Sequence, residues 1–290
     1  MLGTLGYIWN HPLNKNGRWS ALLRFVRWQI STRLMAVPHY IPFVNDTVLV
    51  MERGMTGATG NWYCGLHEEA DMGFALRLLR REDIFVDVGA NIGSYSILAS
   101  GAVGAKTFAF EPAEETYPKL IRNVLANDLQ HRISSFNFGL GAKEEQLKFT
   151  KGRDTTNHIV TAGVGVSIVD VVVRRLDDVL EGSEPRLIKI DVEGWEAEVL
   201  EGMPNTLKSS TLVAIIVETN QSGMRYGKSG ESRVFSILKA SGFAPYSYDP
   251  ISSELTAGAS DHNTIFLRDI GFVKQRLKTA ERYKLVNGFF

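Results

Sequence analysis

Cysteine is almost absent from this chain, because Cys64 is the only one among 290 residues. One cysteine forms no intramolecular disulfide and by itself provides no cysteine-rich zinc site. Such scarcity is typical of proteins from a reducing compartment. A lone cysteine is also more often a small buried apolar side chain than a nucleophile. We therefore expect Cys64 to be structural and the function to depend on other residues.

Long apolar runs are missing too. No stretch reaches the roughly 18 to 20 apolar residues that a membrane-spanning helix needs. The first residues lack the charged start, apolar core and small-residue cleavage site of a signal peptide. These absences lead us to expect a cytoplasmic protein.

The chain has no excess of charge of either sign, since 32 lysines and arginines balance 32 aspartates and glutamates. This balance gives no reason to expect nucleic acid as a partner. The charges are nevertheless unevenly distributed along the chain. Before Asp46 there is no acidic residue, while five basic residues are present: Lys15, Arg18, Arg24, Arg27 and Arg33.

This basic region carries a helical pattern from Trp19 to Val37, which Pro38 ends. The apolar positions of the pattern are Trp19, Leu22, Leu23, Val26, Ile30, Leu34 and Val37. Two interpretations of this amphipathic helix are open. Its apolar face packs on the main domain, as is usual, or it makes a peripheral contact with a partner or with the inner membrane surface. Residues 1–44 are thus predicted to be a basic helical extension.

The main domain shows strand and helix patterns that alternate from Ile84 onward. Alternation of this kind predicts an α/β fold with a mostly parallel sheet and helices on both faces. We place this domain at residues 45–268, with a β-rich insertion at 143–180 and a C-terminal helical tail at 269–290. Ahead of the alternation, "GMTGATGN" is predicted to be a flexible loop.

A glycine-rich turn joins the first strand of this alternation to a helix, in the stretch "IFVDVGANIGSYSILAS". Such a turn offers unpaired backbone N–H groups and close approach to a ligand. The spacing from Gly89 to Gly93 differs from the G-x-G-x-x-G pattern of dinucleotide-binding proteins. Asp87 precedes the turn, and a carboxylate there would repel a pyrophosphate and attract a cation. This favours S-adenosylmethionine, which carries a sulfonium and an ammonium group, over NAD.

The second strand of the alternation ends in another acid, Glu111, within "KTFAFEP". An acidic side chain at this position can accept hydrogen bonds from both ribose hydroxyls of a nucleoside. It would serve NAD equally well, so the first loop is the feature that discriminates between the two ligands.

Four stretches of the chain together resemble the FkbM family of S-adenosylmethionine-dependent methyltransferases, over about Asn45 to Arg268. They are "VDVGANIGSYSILAS", "FAFEPAEETYPKLIRNVLAN", "VRRLDDVL" and "LIKIDVEGWEAEVLEGM". The resemblance implies a class I methyltransferase (Rossmann-like) fold, with a seven-stranded sheet and a reversed last hairpin, and usually O-methylation of a hydroxyl-bearing substrate. By position it assigns the donor's methionine side to Asp87, Gly89, Ala90, Asn91 and Gly93, the ribose to Glu111, and the adenine edge to the segment Asn137, Phe138 and Gly139.

The acceptor is expected at the carboxyl ends of the strands, where open α/β sheets bind ligands. Asp191 ends the fourth strand, Glu218 ends the fifth, and Glu193 lies in the turn between Asp191 and the next helix. Any of these carboxylates could accept the proton of an acceptor hydroxyl. Asp191, which also borders the donor, and Glu218 could instead hold a divalent cation such as Mg²⁺, with Asn220 nearby. His158 and His262 are further candidate bases.

These observations favour an S-adenosylmethionine-dependent O-methyltransferase that acts on a hydroxyl of a sugar, a glycan or a glycosylated metabolite. Two alternatives stay open: an NAD-dependent oxidoreductase, and a noncatalytic S-adenosylmethionine-binding module. A base methyltransferase acting on nucleic acid would be expected to carry a Pro-Pro pair after an Asn or Asp, and the chain has none.

Overall fold

The structure is a computed structural model that describes residues 2–150, 168–219, 229–260 and 263–290. In these residues the α-helices are α1 (Leu2–Asn10), α2 (Arg18–Leu34), α3 (Thr56–Cys64), α4 (Glu69–Leu78), α5 (Ser94–Ile97), α6 (Tyr117–Ala126), α7 (Leu176–Leu180), α8 (Glu196–Glu201), α9 (Pro204–Lys208), α10 (Ser229–Ala240) and α11 (Ile270–Lys278). A short 3₁₀ helix spans Pro12–Asn14, and a π-helical segment, Leu98–Val103, continues α5.

The strands of the described residues are β1 (His39–Pro42), β2 (Val48–Met51), β3 (Ile84–Val88), β4 (Lys106–Phe110), β5 (Ile133–Phe136), β6 (Gly139–Leu140), β7 (Glu145–Thr150), β8 (Ile168–Arg174), β9 (Leu187–Ile190), β10 (Ala214–Glu218), β11 (Ala244–Asp249), β12 (Glu254–Ala257), β13 (Asn263–Leu267), β14 (Lys284–Leu285) and β15 (Gly288–Phe289).

The central sheet confirms the predicted α/β class. Its strand order is β12-β11-β13-β10-β9-β3-β4-β5, and β10, β9, β3, β4 and β5 are mutually parallel. The last of the expected seven strands, β13, is reversed, because it pairs antiparallel with both β10 and β11. An eighth strand, β12, extends the edge beyond β11. The carboxyl ends of β3, β4, β9 and β10 therefore meet along one edge, as the sequence predicts.

Two apolar layers cover the two faces of this sheet. Successive residues of a strand point to opposite faces, so Val86 and Val88 belong to one cluster of buried side chains while Phe85 belongs to the other. Burying an aliphatic or aromatic side chain of this size stabilises the fold by roughly 1.5 to 3 kcal/mol. The two layers fix the sheet, and with it the positions of the polar residues at the strand ends.

Helix α2 packs through a different face from the one that its sequence pattern suggests. The residues of α2 that are buried are Ala21, Arg24, Phe25, Trp28 and Thr32. Arg24 donates to the carbonyl oxygen of Tyr63 in α3 at 2.7 Å, and Phe25 contacts the ring of Tyr63 edge to face. The apolar positions read from the sequence lie mostly in solvent, with Leu22 half-buried. The expectation that this apolar face packs on the main domain is therefore wrong.

Three other local predictions need correction or completion. "GMTGATGN" is not a flexible loop, because α3 begins at Thr56. The tail at 269–290 is helical only as far as Lys278, and β14 and β15 then form a hairpin. The described part of the insertion at 143–180 contains β7 and β8, which form a three-stranded sheet with β6 and so agree with the β-rich prediction.

Cys64 is fully buried at the end of α3, where its sulfur accepts a hydrogen bond from the Asn14 side chain. Burial raises the pKa of this thiol to about 12. The thiolate is the nucleophilic form of cysteine, so the environment matches the structural role that the sequence suggests. Within the described ranges, no helix is both long and apolar enough to span a membrane.

Candidate active site

A cavity of about 410 Å³ lies at the carboxyl edge of the central sheet. Its walls come from the ends of β3, β4, β9 and β10 and from the segment that joins α3 to α4. The lining residues on the sheet side include Asp87, Val88, Gly89, Ala90, Asn91, Ile92, Phe110, Glu111, Phe138, Gly139, Leu140, Lys189, Asp191, Val192, Glu193, Trp195 and Glu218. Those from α3, α4 and their connection are Ala58, Asn61, His67, Glu68 and Met72.

The glycine turn forms the floor of this cavity next to β9. The backbone N–H groups of Gly89 and Ala90 donate to the carbonyl oxygen of Phe110 at 3.0 and 2.9 Å. A Cβ on Gly89 would lie 1.9 Å from the carbonyl oxygen of Asp191, and its φ of +78° also favours glycine. Glycine is therefore required here because the turn presses against the end of β9.

The second glycine of the turn, Gly93, permits close packing of the following helix. Its φ is +88°, and a Cβ would lie 2.5 Å from the Cδ1 atom of Leu120 in α6. Between the two glycines, Asn91 adopts φ +51°, and its side-chain oxygen accepts from the N–H of Ile92 at 2.7 Å. Asparagine tolerates this left-handed conformation better than most residues. The glycine turn thus forms where the sequence predicts it. The expectation of unpaired backbone N–H groups is wrong, because each N–H from Gly89 to Gly93 donates to an oxygen of the protein.

Glu111 holds the glycine turn from the end of β4. One carboxylate oxygen accepts from the N–H of Asn91 at 2.8 Å and the other from the N–H of Ala113 at 2.8 Å. Burial raises the pKa of Glu111 to about 7, although these two hydrogen bonds oppose the rise. Each oxygen keeps a second lone pair, so the predicted contact with ribose hydroxyls is compatible with these bonds.

Asp87 is buried beneath the turn, with only 1% of its surface exposed. One carboxylate oxygen accepts from the Ser96 hydroxyl at 2.6 Å. The other, Oδ1, has no hydrogen-bond partner among the described residues. Burial raises the pKa of Asp87, and the ammonium of Lys189 opposes that rise. A buried carboxylate oxygen without a partner, in the wall of a cavity, fits a cationic ligand such as S-adenosylmethionine.

Lys189 is a site residue that the sequence reasoning missed. Its ammonium donates to Asp191 Oδ2 at 2.7 Å and lies 4.8 Å from the centre of the Tyr95 ring. Burial alone would lower its pKa, but the carboxylates of Asp191, Glu68 and Asp87 raise it above the ordinary value. Lys189 is therefore a buried cation held among carboxylates.

A sequence signal for this cluster does exist. Lys189 and Asp191 are two residues apart, which places them on the same face of an extended strand. Asp87 is the partner of Lys189 in the β3–β9 register. A lysine inside an otherwise apolar strand, beside a strand that ends in an acid, could have indicated this ion cluster.

Asp191, Glu193 and Glu218 all reach the cavity wall, as the sequence predicts. Burial, together with the neighbouring charges of Asp191 and Glu193, raises the pKa of Glu218 to about 8. Glu193 adopts a left-handed backbone with φ +54°. The three carboxyl groups thus come from two adjacent strand ends.

The turn after β9 is held by Glu196, which the sequence reasoning did not single out. One of its carboxylate oxygens accepts from the N–H of Gly194 at 2.9 Å. Burial raises the pKa of Glu196 to about 7. This residue shapes the turn that carries Glu193 rather than lining the cavity.

The segment between α3 and α4 supplies a wall that was not predicted. The Tyr95 hydroxyl donates to Glu68 at 2.6 Å, and the N–H of His67 donates to the Asn61 side chain at 2.8 Å. A Cβ on Gly60 would lie 2.1 Å from Nδ1 of His67. The glycine in α3 therefore makes room for the His67 ring, which lines the cavity.

The hydrogen bonds of His67 define its tautomer. The Tyr7 hydroxyl lies 2.9 Å from the carbonyl oxygen of His67 and 2.8 Å from its Nδ1 atom. When the hydroxyl donates its one hydrogen to the carbonyl oxygen, Nδ1 carries the proton that Tyr7 accepts. Burial lowers the pKa of His67, with Glu68 opposing. The neutral ring therefore keeps Nε2 as a proton acceptor.

Two sequence-assigned residues, Gly93 and Asn137, do not line the cavity. The side-chain amide of Asn137 donates to the carbonyl oxygen of Glu111 at 2.9 Å, and its residue is exposed. Phe138 and Gly139, from the same predicted segment, do line the cavity, and the Phe138 ring centre lies 5.6 Å from that of Phe110. His158, Asn220 and His262 lie outside the described residues, so their assignments stay predictions.

The described residues contain no group of three or more His, Cys, Asp or Glu side chains placed to hold a metal ion. A divalent cation at Asp191 and Glu218 would have to compete with the ammonium of Lys189 for Asp191 Oδ2. Mg²⁺ at these two residues stays a prediction.

Comparison with known proteins gives a family match for residues 87–245, to the model described as "Methyltransferase FkbM domain". The chain is 32% identical over 146 residues to the hexuronic acid methyltransferase AglP of Haloferax volcanii, covering 48% of this chain and 59% of that protein. It is 31% identical over 156 residues to the methyltransferase sdnD of Sordaria araneosa, covering 41% and 59%. These matches thus span less than two thirds of the relatives' own length.

A solved structure of an FkbM methyltransferase from Methylobacillus flagellatus is also similar to this chain. The TM-score is 0.44 at 18% identity, and the match covers 65% of this chain and 44% of the other.

Proposed function

Because the chain belongs to the FkbM methyltransferase family, we propose that it transfers a methyl group from S-adenosylmethionine to a hydroxyl of a sugar, a glycan or a glycosylated metabolite. Membership of a methyltransferase family argues against an NAD-dependent oxidoreductase.

The observation that carries the donor assignment is the buried Asp87 carboxylate, whose Oδ1 atom faces no partner among the described residues. S-adenosylmethionine, when bound, supplies an electrophilic methyl group on a sulfonium. Asp87 would balance the positive charge of the donor's methionine end, directly or through water. Glu111 would accept from the ribose hydroxyls while it keeps the Asn91 N–H bond that holds the turn. Phe138 would border the adenine.

On the acceptor side we assign Glu218 as the general base. A base is most effective when its pKa lies near the working pH, and the pKa of Glu218 is raised to about 8. Asp191 is paired with Lys189 at 2.7 Å, so its charge is already partly neutralised. Asp191 would orient the acceptor or the donor, and Glu193 would keep the pKa of Glu218 high.

A sugar acceptor is supported by two observations. The relative AglP is named a hexuronic acid methyltransferase. Trp195 lines the cavity beside Glu193 and offers an aromatic face of the kind on which sugar rings stack. Neither observation selects a particular sugar, and a glycan or a glycosylated metabolite would present the same ring.

Calorimetric titration with S-adenosylmethionine tests the donor assignment. Asp87→Asn removes the charge and keeps an oxygen for the Ser96 hydroxyl, so we expect affinity to fall by about 10- to 100-fold. Asp71→Asn is the matched control, because Asp71 is also a buried carboxyl near the site but does not line the cavity. No binding to the wild type, or equal affinity in Asp87→Asn, would remove S-adenosylmethionine from the proposal.

Transfer of a tritiated methyl group from the donor into a glycan extract tests the reaction itself. Labelled glycan would exclude the noncatalytic alternative, whereas donor binding without any transfer across varied extracts would favour it. Exhaustive chelation during the same assay tests the Mg²⁺ option, since unchanged transfer would show that no divalent cation is required.

A further inference from the structure

Helix α2 presents an apolar stripe to solvent, which we call the outer ridge. It consists of Trp19, Leu23, Val26, Ile30 and Leu34, each between 46% and 78% exposed. At 100° per residue these five positions fall within about 80° of one another around the helix axis. Isolated exposed apolar residues are ordinary, but an aligned row along a whole helix marks a surface that contacts something else.

The outer ridge is not a packing face left over from the fold, because α2 already packs through its other side. Phe25, Trp28 and Thr32 on that inner side line a second cavity of about 540 Å³ together with α3 residues and His67. The Trp62 indole N–H also donates to the carbonyl oxygen of Arg24 at 3.3 Å. The inner side of α2 therefore faces α3, and the outer ridge points away from the main domain.

The charges around the ridge identify the kind of surface that it fits. Arg27 and Arg33 are exposed and lie on opposite flanks of the ridge by the same helical geometry. The chain has no acidic residue before Asp46. At the start of the helix, Trp19 and Trp9 contact edge to face at 5.5 Å, and the Arg18 guanidinium lies over Trp9 at 5.1 Å. Tryptophan and arginine both suit the boundary between headgroups and acyl chains.

We propose that α2 docks this protein on an anionic membrane surface, with the outer ridge in the acyl boundary and Arg27 and Arg33 at the lipid phosphates. A second copy of this chain fits the ridge less well, because two ridges packed together would bring their flanking arginines close to one another without any acidic residue of α2 between them. An anionic bilayer offers both apolar area and negative charge. The inference does not depend on the identity of the donor or the acceptor.

When the outer ridge contacts the membrane, neither cavity is covered. The helix contacts α3 through its inner side, and α3 contributes Ala58 and Asn61 to the cavity of the candidate active site. Substitutions on the ridge are consequently expected to change membrane binding and to leave S-adenosylmethionine affinity unchanged.

Vesicle flotation with the full chain tests the proposal. We expect the protein to float with vesicles of phosphatidylcholine and 30% phosphatidylglycerol, and to float much less with phosphatidylcholine alone. Leu23→Gln combined with Ile30→Gln should lower partitioning by on the order of tenfold or more. Arg27→Gln should lower it by about fivefold on the anionic vesicles. Equal binding by all variants, or no wild-type binding to anionic vesicles, would overturn the proposal.

Matched controls separate the ridge from general surface effects. Leu125 in α6 is 60% exposed, so Leu125→Gln removes a similar apolar side chain from another helix. Lys274 in α11 is exposed, so Lys274→Gln removes one positive charge elsewhere. Both variants should float as the wild type does. Circular dichroism confirms that each variant is folded.

Sedimentation equilibrium tests the competing occupant. A wild-type dimer that Leu23→Gln and Ile30→Gln convert to monomer, together with absent flotation, would assign the ridge to a second copy and refute membrane docking. Flotation of the wild type that falls with the ridge substitutions supports docking.

Discussion

The ammonium of Lys189 in β9 lies 2.7 Å from Oδ2 of Asp191, which directly follows that strand, and both residues line the cavity. On the neighbouring strand, Asp87 is the register partner of Lys189. A single cation thus stands between the carboxylate beneath the glycine turn and the carboxylate at the start of the acceptor side. Replacing or moving this cation should affect both sides of the site.

Lys189→Met is expected to destabilise the protein by about 3 to 5 kcal/mol at pH 8, because it leaves buried carboxylates without their countercharge. The defect should shrink as the pH is lowered towards 5, since protonation of those carboxylates then removes the unpaired charge. Urea unfolding at several pH values measures both effects. Lys106→Met, at an exposed position of β4, is the control and should change stability little. A pH-independent defect would argue against the ion cluster.

Gly89→Ala is expected to abolish measurable donor binding while the protein stays folded at reduced stability. The added Cβ would lie 1.9 Å from the Asp191 carbonyl oxygen, so the turn must move. Gly242→Ala is the control, because Gly242 has a similar φ of +84° but no heavy atom within 4 Å of the added Cβ. The free energy of unfolding of Gly242→Ala should fall by only roughly 1 to 2 kcal/mol, the cost of a left-handed backbone for alanine. Calorimetry and urea unfolding compare the two, and equal donor affinity in both would contradict the role of this contact.

The sequence was sufficient for the sheet side of the site because strand direction follows from pattern alone. Alternating strands and helices make the strands parallel, and parallel strands bring Asp87, Glu111, Asp191 and Glu218 to one edge. The glycine turn could be predicted from its residue types, and the structure has no room for a side chain at Gly89. Neither inference needs knowledge of distant contacts.

The opposite wall could not be predicted in this way, because distant packing decides it. Glycine and threonine disfavour helices, yet α3 forms where Arg24 and Phe25 of α2 pack against Tyr63. His67 then packs over Gly60, more than 20 residues before the glycine turn. Local propensity predicts a loop here, and only tertiary contacts make the segment a helix.

Lys189 was missed for a different reason. Lysine is rarely buried without a partner, and the pattern of β9 identifies a buried strand but not the neighbour in register with each residue. The sequence also does not distinguish Asn137 from Phe138, because it does not say which of two adjacent residues at a strand end faces the cavity. The face of α2 was misjudged because its inner side buries Arg24 and Thr32, which polarity alone would place in solvent.

Asp71→Asn should stabilise the protein at pH 8. Burial raises the pKa of Asp71 to about 8, whereas an unfolded aspartate has a pKa of about 3.9. The folded state therefore holds a proton that the unfolded state releases, and the stability from this group is lost as the pH rises from about 4 to about 8. An asparagine at position 71 does not ionise, so this loss of stability does not occur. Its side-chain oxygen still accepts from Asn263, whose Nδ2 atom lies 2.9 Å from Asp71 Oδ2 in the wild type.

Thermal and urea unfolding between pH 4 and 9 check this expectation. The variant should gain up to about 5 kcal/mol over the wild type at pH 8 and little at pH 4. The stability of the variant should still depend on pH to some extent, because Glu111, Glu196 and Glu218 also have raised pKa values. A variant that is less stable than the wild type at pH 8 would show that Asp71 is ionised in the folded protein.

Glu218→Gln tests the assignment of the general base, with an acceptor that the labelled-methyl assay identifies. A base must be ionised to accept a proton, so the wild-type kcat/KM should rise with pH and level off above about 8, the pKa of Glu218. The variant should lose this rise and about 10²- to 10⁴-fold in kcat/KM, while donor affinity changes little. Glu201→Gln, at an exposed residue of α8, should behave as the wild type.

If the base is instead His67, whose pKa is lowered by burial, the pH dependence should persist in Glu218→Gln at a lower midpoint and disappear in His67→Gln. A wild-type rate that does not vary with pH would contradict both assignments.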